Sequence, residues 1–157
     1  MMKILKRILL LILVVFIMAQ FFSPEKNEGT ASSIIAFLEE TNPPEEVKLI
    51  LKESCYDCHS SITKYPWYNA ITPINYWMAD HIKNGSKHLN FSKWDDYTVK
   101  KKDHKLDEVI EMVENNEMPL PSYTWVHGDA KLNDIQKRKI LTWAKQMRQS
   151  YKIESKP

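Results

Sequence analysis

Two cysteines three positions apart, with a histidine directly after the second, stand at Cys55-Tyr56-Asp57-Cys58-His59. This is C-x-x-C-H, the attachment pattern of a c-type haem. The spacing has a chemical reason. Two thiols placed this way can each add to one vinyl group of a single porphyrin. The histidine then lies under the iron as its proximal ligand. The motif uses both cysteines of the 157-residue chain. Three other chemistries share parts of the pattern. A redox dithiol of C-x-x-C type normally opens a helix in a βαβ setting, and no strand pattern is visible. A zinc site needs four ligands, and no second half is visible, since His81 and His88 lie apart from isolated His104 and His127. A plain disulfide is the fourth reading.

A haem held by His59 has a second axial position. Met118 is the first choice for it. Pro119 and Pro121 follow it, and prolines fix an extended loop that can present a thioether. A thioether ligand favours ferrous iron and suits electron transfer. The plain alternative is a core-filling methionine, the reading given to Met78 and Met112. His81, on one helical face with Ile74 and Trp77, is the main competitor as ligand. His127 is a second alternative or a distal hydrogen-bonding group. His88 and His104 sit among charged residues and read as solvent-facing.

The chain must be exported for such a haem to be attached, and its N-terminus carries a fitting signal. Met1 to Arg7 is a short basic start, and Ile8 to Phe22 is apolar except for Gln20. This layout belongs to a secretory signal or a membrane anchor. No small-residue cleavage site is visible, so residues 1–22 read as an uncleaved anchor, a transmembrane helix extended by snorkelling of Lys6 and Arg7. A cleaved signal and a soluble periplasmic protein are the alternative. By the positive-inside tendency the basic flank stays in the cytoplasm. Residues 23–31, polar with Pro24 and Gly29, read as a linker, and 32–157 as the haem c-binding domain.

The net charge of +2 implies no polyanionic partner, so nucleic acid is not expected. The run Lys100-Lys101-Lys102, flanked by Asp95, Asp96 and Asp103, reads as a solvated loop. Five tryptophans in a small domain point to a core and a wall around a flat cofactor.

The remaining elements are helical. A short helix is expected from Ser32 or Ser33 to Glu40. Asn42-Pro43-Pro44-Glu45-Glu46 reads as the start of the next, with Asn42 as cap and Val47, Ile50 and Leu51 on its buried face. This helix runs into Cys55. Thr72-Pro73 starts another, which Asn84-Gly85 ends, with Ile74, Trp77, Met78, His81 and Ile82 on one face. Ser92-Lys93-Trp94-Asp95 resembles a capping box. Asp103 is expected to cap a helix through Asn115, with Leu106, Val109, Ile110 and Val113 inward. Prolines after Met118 cannot continue it. Asn133-Asp134 start the last helix, with Ile135, Ile140, Trp143, Ala144 and Met147 inward.

The order of these blocks resembles a known group, the small haem-binding domain proteins common in Bacteroidetes, within the wider c-type cytochromes. The likeness rests on Ser54 to Ser60, Tyr65-Pro66-Trp67-Tyr68, Trp77 with His81-Ile82, Leu89-Asn90-Phe91-Ser92, Glu117 to Tyr123, and His127 with Ala130-Lys131-Leu132. The resemblance implies one covalent haem c attached at Cys55 and Cys58, with His59 proximal and Met118 as distal ligand. It implies an all-α, cytochrome c-like small domain enclosing that haem, preceded by an N-terminal hydrophobic helix. Tyr65, Trp67, Tyr68 and Trp77 are the expected haem wall, and Tyr123 or Trp125 the support of the Met118 loop. The helix entering Cys55 is expected to pack near the C-terminal helix. The function implied is that of a non-enzymatic electron carrier on the periplasmic face of the inner membrane, serving redox partner proteins in or at that membrane. A haem-based sensor or a peroxidase-like protein using His81 or His127 is the alternative. With one C-x-x-C-H in the chain, a two-haem peroxidase within it is excluded.

Overall fold

The computed structural model describes residues 1–154. Its elements are α1 (Met2–Ala19), α2 (Ile35–Thr41), α3 (Glu45–Ser54), α4 (Tyr56–His59), α5 (Ile74–His88), α6 (Val99–Glu114), α7 (Pro121–Thr124) and α8 (Asp134–Glu154), with short 3-10 turns between them. The described residues hold no strand, only one isolated bridge between Glu28 and Ile62. The all-helical class expected from the sequence is therefore what the chain adopts.

Apolar residues at helical spacing decide which faces turn inward. Val47 and Leu51 of α3, Leu106 and Ile110 of α6, and Trp143 and Ala144 of α8 share one core with Phe37, Phe91 and Trp94. Phe37 is its centre: its ring lies 4.6 Å from Phe91, 5.1 Å from Trp94 and 6.0 Å from Trp143. Each such buried side chain contributes about 1.5–3 kcal/mol. Ile50, Val113, Leu132 and Ile140 form a second cluster. α3 and α8 thus pack together, as expected. Ile135 is the exception on α8, being exposed; it lies in the first turn, beyond the reach of that core.

Local chemistry explains the starts and stops, and several differ from expectation. Asn42 does not cap α3. It closes α2 in the left-handed region at φ 34°, and α3 follows Pro44 with Glu45 and Glu46 in its first turn. Asparagine tolerates that region better than most residues. The 3-10 turn at Phe91 is capped by Asn90, whose side chain accepts from the Ser92 amide, rather than by Ser92. α6 begins four residues before Asp103, at a Thr98 cap. Asp103 instead accepts from Arg148 Nε of α8 at 2.8 Å. Lys100–Lys102 are accordingly the start of a helix and not a loop. Lys102 is buried and pairs with Glu40 at 2.5 Å. Burial acts to raise the Glu40 carboxyl, but bonds from Lys102 and Tyr151 outweigh it and hold the group below its ordinary range. Asn133 does start α8, in a reciprocal box with Gln136.

Two N-terminal expectations also change. α1 has 18 residues and includes Lys3, Lys6 and Arg7. No helix among the described residues is long and apolar enough to cross a membrane, so the expected transmembrane helix is not found. Residues 23–31 are not a free linker. Asn27 donates through its side chain to Ser60 O at 2.7 Å and Thr63 Oγ1 at 2.8 Å, and through its amide to Tyr65 Oη at 2.6 Å. The Gly29 amide donates to Ser61 O at 2.5 Å. The segment is stitched to the loop that follows Cys58-His59.

Candidate functional site: the thiol-bearing turn and its cleft

α3 ends at Ser54, and Cys55 breaks the helix at φ −126° before the single turn α4. The turn places Cys55 and Cys58 three residues apart, Cys55 packed against the core and Cys58 facing a cleft. The carbonyls of Cys55 to Cys58 are all engaged. Cys55 O accepts from the amides of Cys58 at 3.2 Å and His59 at 2.9 Å. Tyr56 O accepts from Ser60 Oγ at 2.7 Å, Asp57 O from Thr63 Oγ1 at 2.6 Å, and Cys58 O from Ser86 Oγ of α5 at 3.0 Å. The Asp57 carboxylate accepts from the Lys64 amide at 2.9 Å and from Tyr123 Oη at 2.7 Å. Buried backbone polar groups must be paired; here the pairing fixes the turn in space.

α5 comes close because Gly85 has no side chain. A Cβ there would stand 2.8 Å from Cys58 O and 2.9 Å from Cys58 Cβ. Gly85 therefore does not end α5, as its sequence context suggested. The helix runs through it to His88, and the residue serves as the point of approach.

His59 sits under the end of this helix. Its Nδ1 lies 3.1 Å from Leu89 O. A carbonyl can only accept, so Nδ1 carries the proton and Nε2 presents a lone pair. Histidines that ligate metals are commonly held in this way. Burial drives the imidazole pKa down, against the opposing pull of its carbonyl contacts. Both cysteines are free thiols. Burial, and then the charge of Cys58, push Cys55 up to about 12; burial, and then Asp57, push Cys58 up to about 11.

A narrow apolar cleft opens beside Cys58, with a cavity volume of about 50 Å³, below the roughly 300–1,000 Å³ of small-molecule sites. Its walls come from three places: Asp57 and Cys58 with the loop to Tyr68; Trp77, Met78, His81 and Ile82 of α5; and Leu120 to His127. The sequence nominees divide between this cleft and elsewhere. Tyr68, Trp77, His81 and His127 line it. Tyr65 and Trp67 do not: they border a second depression beside Ser23 to Lys26. Tyr65 is occupied as acceptor for Asn27, and Trp67 is 80 % exposed. Met118 is half-buried, its amide bonded to Met112 O at 3.1 Å, and is absent from the cleft wall, although Leu120 belongs to it. Met78, read as a filler, lines the cleft. His88 is exposed, and His104 lies on the surface 3.2 Å from Glu108.

Two histidines of the wall are held firmly. His81 Nδ1 is 2.8 Å from Trp77 O. His127 Nε2 is 2.7 Å from Tyr68 Oη, and its ring stacks 4.3 Å from Tyr123. Tyr123 thus ties the loop after Met118 to Asp57 of the motif itself. Burial first, then the bond to Asp57, raises the Tyr123 phenol, which stays a donor. Trp125, its alternative as loop support, is 92 % exposed and supports nothing. Sequence reasoning missed Ser86, Gly85 and the Leu89 carbonyl. Their only signal was that Leu89-Asn90-Phe91-Ser92 stood among the family-like blocks.

The donor types fit a covalently attached haem: two free thiols and an imidazole on one braced turn. Cys58 borders the apolar aromatic cleft, whereas Cys55 packs against the core, and neither Cys55 nor His59 lines the cleft. The Tyr56 hydroxyl on the same turn is buried in the core beside Phe91 without a hydrogen-bond partner among the described residues. Among the described residues no group of three or more His, Cys, Asp or Glu side chains could hold a bare metal ion. No curated protein matches the chain. No solved structure matches it either. A family model described as haem-binding domain matches residues 14–146, from within α1 through most of α8, and the chain belongs to that family.

Proposed function

We propose that this haem-binding domain carries one haem c, attached through thioethers at Cys55 and Cys58, and works as a monohaem electron carrier on the exported side of a bacterial cytoplasmic membrane. His59 is the proximal ligand and Met118 the distal one. The observation that carries the reading is the His59 Nδ1 to Leu89 O bond inside an intact C-x-x-C-H turn, because it orients and tautomerises the imidazole as an iron ligand requires. The bound group would supply one-electron chemistry at its iron. The chain's own residues position it, limit water and set the axial donors. α1, apolar and exposed on every side from Ile8 to Met18, directs export and holds the domain at the bilayer. Redox proteins in or at that membrane are the partners.

A second reading has one observation in its favour: His81 and His127 line the cleft, whereas Met118 does not. In that reading the sixth position is open or labile, and the domain senses a small ligand or reacts with peroxide. Visible spectra of the haem-loaded protein separate the two. A low-spin spectrum with the thioether-to-iron band, unmoved by carbon monoxide and lost in Met118→Ala, supports the carrier. A carbon monoxide-reactive spectrum that Met118→Ala leaves unchanged refutes Met118 as ligand and favours the second reading. An intact mass with no covalent haem refutes both.

A further inference from the structure

The joint between α1 and the domain is built, not loose. Gln20, the one polar residue of the segment from Ile8 to Phe22, pairs with the main chain of Thr72 in both directions. Its Oε1 accepts from Thr72 N at 2.9 Å, and its Nε2 donates to Thr72 O at 3.2 Å. Thr72 Oγ1 donates to Phe22 O at 3.2 Å and accepts from the buried Asn75 Nδ2 at 3.0 Å. Four bonds therefore converge on one buried residue at the entrance of α5, fixing where the apolar helix leaves the body.

Directly past this joint, Ser23 to Lys26 share a depression with Trp67. Trp67 is 80 % exposed, with only an edge contact to Tyr68 at 5.8 Å. An indole this exposed has the amphipathic character that settles at the headgroup level of a bilayer, and Phe21 and Phe22, directly after α1, are 78 % and 64 % exposed. Lys26 borders the same depression, its Nζ 5.5 Å from the Tyr65 ring and 3.5 Å from the exposed Glu28 carboxylate, with Glu25 beside it, and anionic headgroups compete with those carboxylates for it.

We propose that the face bearing Trp67 and Lys26 rests on the phospholipid headgroup layer that receives α1, with the Gln20–Thr72 joint holding the domain at one fixed tilt. The occupant of this face is lipid and not a protein partner, because the joint at Gln20 and Phe22 links the face to an apolar helix exposed from Ile8 to Met18. The inference rests on the tether reading of α1. It adds that Trp67 is an interfacial anchor and that Gln20 transmits orientation.

The test uses the full haem-loaded chain on vesicles of phosphatidylcholine with a minority of phosphatidylglycerol. Hydroxyl-radical oxidation is read tryptophan by tryptophan by peptide mass spectrometry. Trp125, 92 % exposed, is the internal reference. On vesicles Trp67 is expected to oxidise several-fold more slowly than Trp125, and Gln20→Ala is expected to bring the two rates together while the protein still floats with the vesicles. Equal rates in the wild type overturn the lipid-facing assignment of Trp67. Unchanged protection in Gln20→Ala overturns the fixed joint. A chain that fails to float with vesicles refutes the tether reading itself, so the two failures are distinguishable.

Discussion

Replacing Gly85 by alanine adds one methyl group at the tightest approach in the site. That Cβ would lie 2.8 Å from Cys58 O, where ordinary contact begins at 3.4 Å. α5 or the thiol-bearing turn must therefore yield by about 0.6 Å. Neither is a flexible side-chain tip. The Cys58 carbonyl is held by Ser86 at 3.0 Å, and a retreat of that size carries this bond past useful length. The Leu89 carbonyl, one turn further along α5, withdraws from His59 with it. Overpacking costs about 1–3 kcal/mol, and each weakened bond about 1 kcal/mol. Against these stands the helix-propensity gain of alanine over glycine, about 1 kcal/mol. The net expectation is a loss of roughly 2–4 kcal/mol. For a chain of this size that lowers the melting temperature by about 4–16 °C. Thermal unfolding of the haem-loaded protein, followed by far-ultraviolet circular dichroism, measures it. Gly128→Ala is the control, since nothing lies within 4 Å of a Cβ there, and it should leave the midpoint unmoved. An unchanged or raised midpoint in Gly85→Ala would refute the reasoning that absence of a side chain at 85 lets α5 seat the turn.

Lys102→Ala should destabilise the fold by roughly 1–3 kcal/mol in denaturant titration, because it strands the partly buried Glu40 carboxylate, while Lys100→Ala on the exposed side changes stability by less than about 0.5 kcal/mol; equal effects would show that Lys102 is as solvated as its neighbours. In the haem-free, reduced chain, the thiols at about 11 and about 12 stay protonated when the unfolded chain begins to ionise near ~8.5. The native state then binds more protons, so stability falls as pH rises from about 9 towards 11. Urea midpoints near neutral pH and at pH ~9.5 should separate more for the wild type than for the Cys55→Ser/Cys58→Ser variant, and parallel profiles would mean the thiols are not buried as described.

Much of the fold was legible because it depends on periodicity. Leu106, Ile110 and Val113, or Ile140, Trp143 and Ala144, recur at helical spacing, and each set turns inward. The element ends were less legible, because one residue type serves two roles. Asn42 carries the composition of an N-cap and performs a left-handed C-cap. Gly85 has the look of a stop and is a contact point with a residue 27 positions earlier. Lys102 lies in a basic run and is buried, because Glu40, far away in sequence, awaits it. In the site, the motif nominated Cys55, Cys58 and His59, but counting aromatics could not assign the tyrosines and tryptophans to walls. Tyr68 and Trp77 line the cleft, whereas Tyr65 and Trp67 face the N-terminal segment. That division follows from the stitching of Asn27 and Gly29 to the loop at Ser60–Tyr65, a tertiary fact with no local signature.

The family match begins inside α1 and includes the stretch that looked like a linker, and the hydrogen bonds give a physical reason. Asn27 bonds to Ser60 and Thr63, and Thr63 in turn holds the carbonyl of Asp57, between the two cysteines. Ser61 and Ser33 both meet Ser92 Oγ, at 2.9 Å and 2.8 Å, next to the Leu89-Asn90 segment that receives His59. The chain before the domain thus braces the same loop that α5 braces from the other side through Ser86. The covalent attachment proposed above would need two thiols and one imidazole held together before the cofactor arrives, since a turn disordered in its absence would lose the orientation entropy at the moment of reaction. The bracing residues are short polar side chains, Asn27, Ser60, Thr63, Ser86 and Ser92, because only these reach a neighbouring carbonyl or hydroxyl without displacing the apolar cleft beside it.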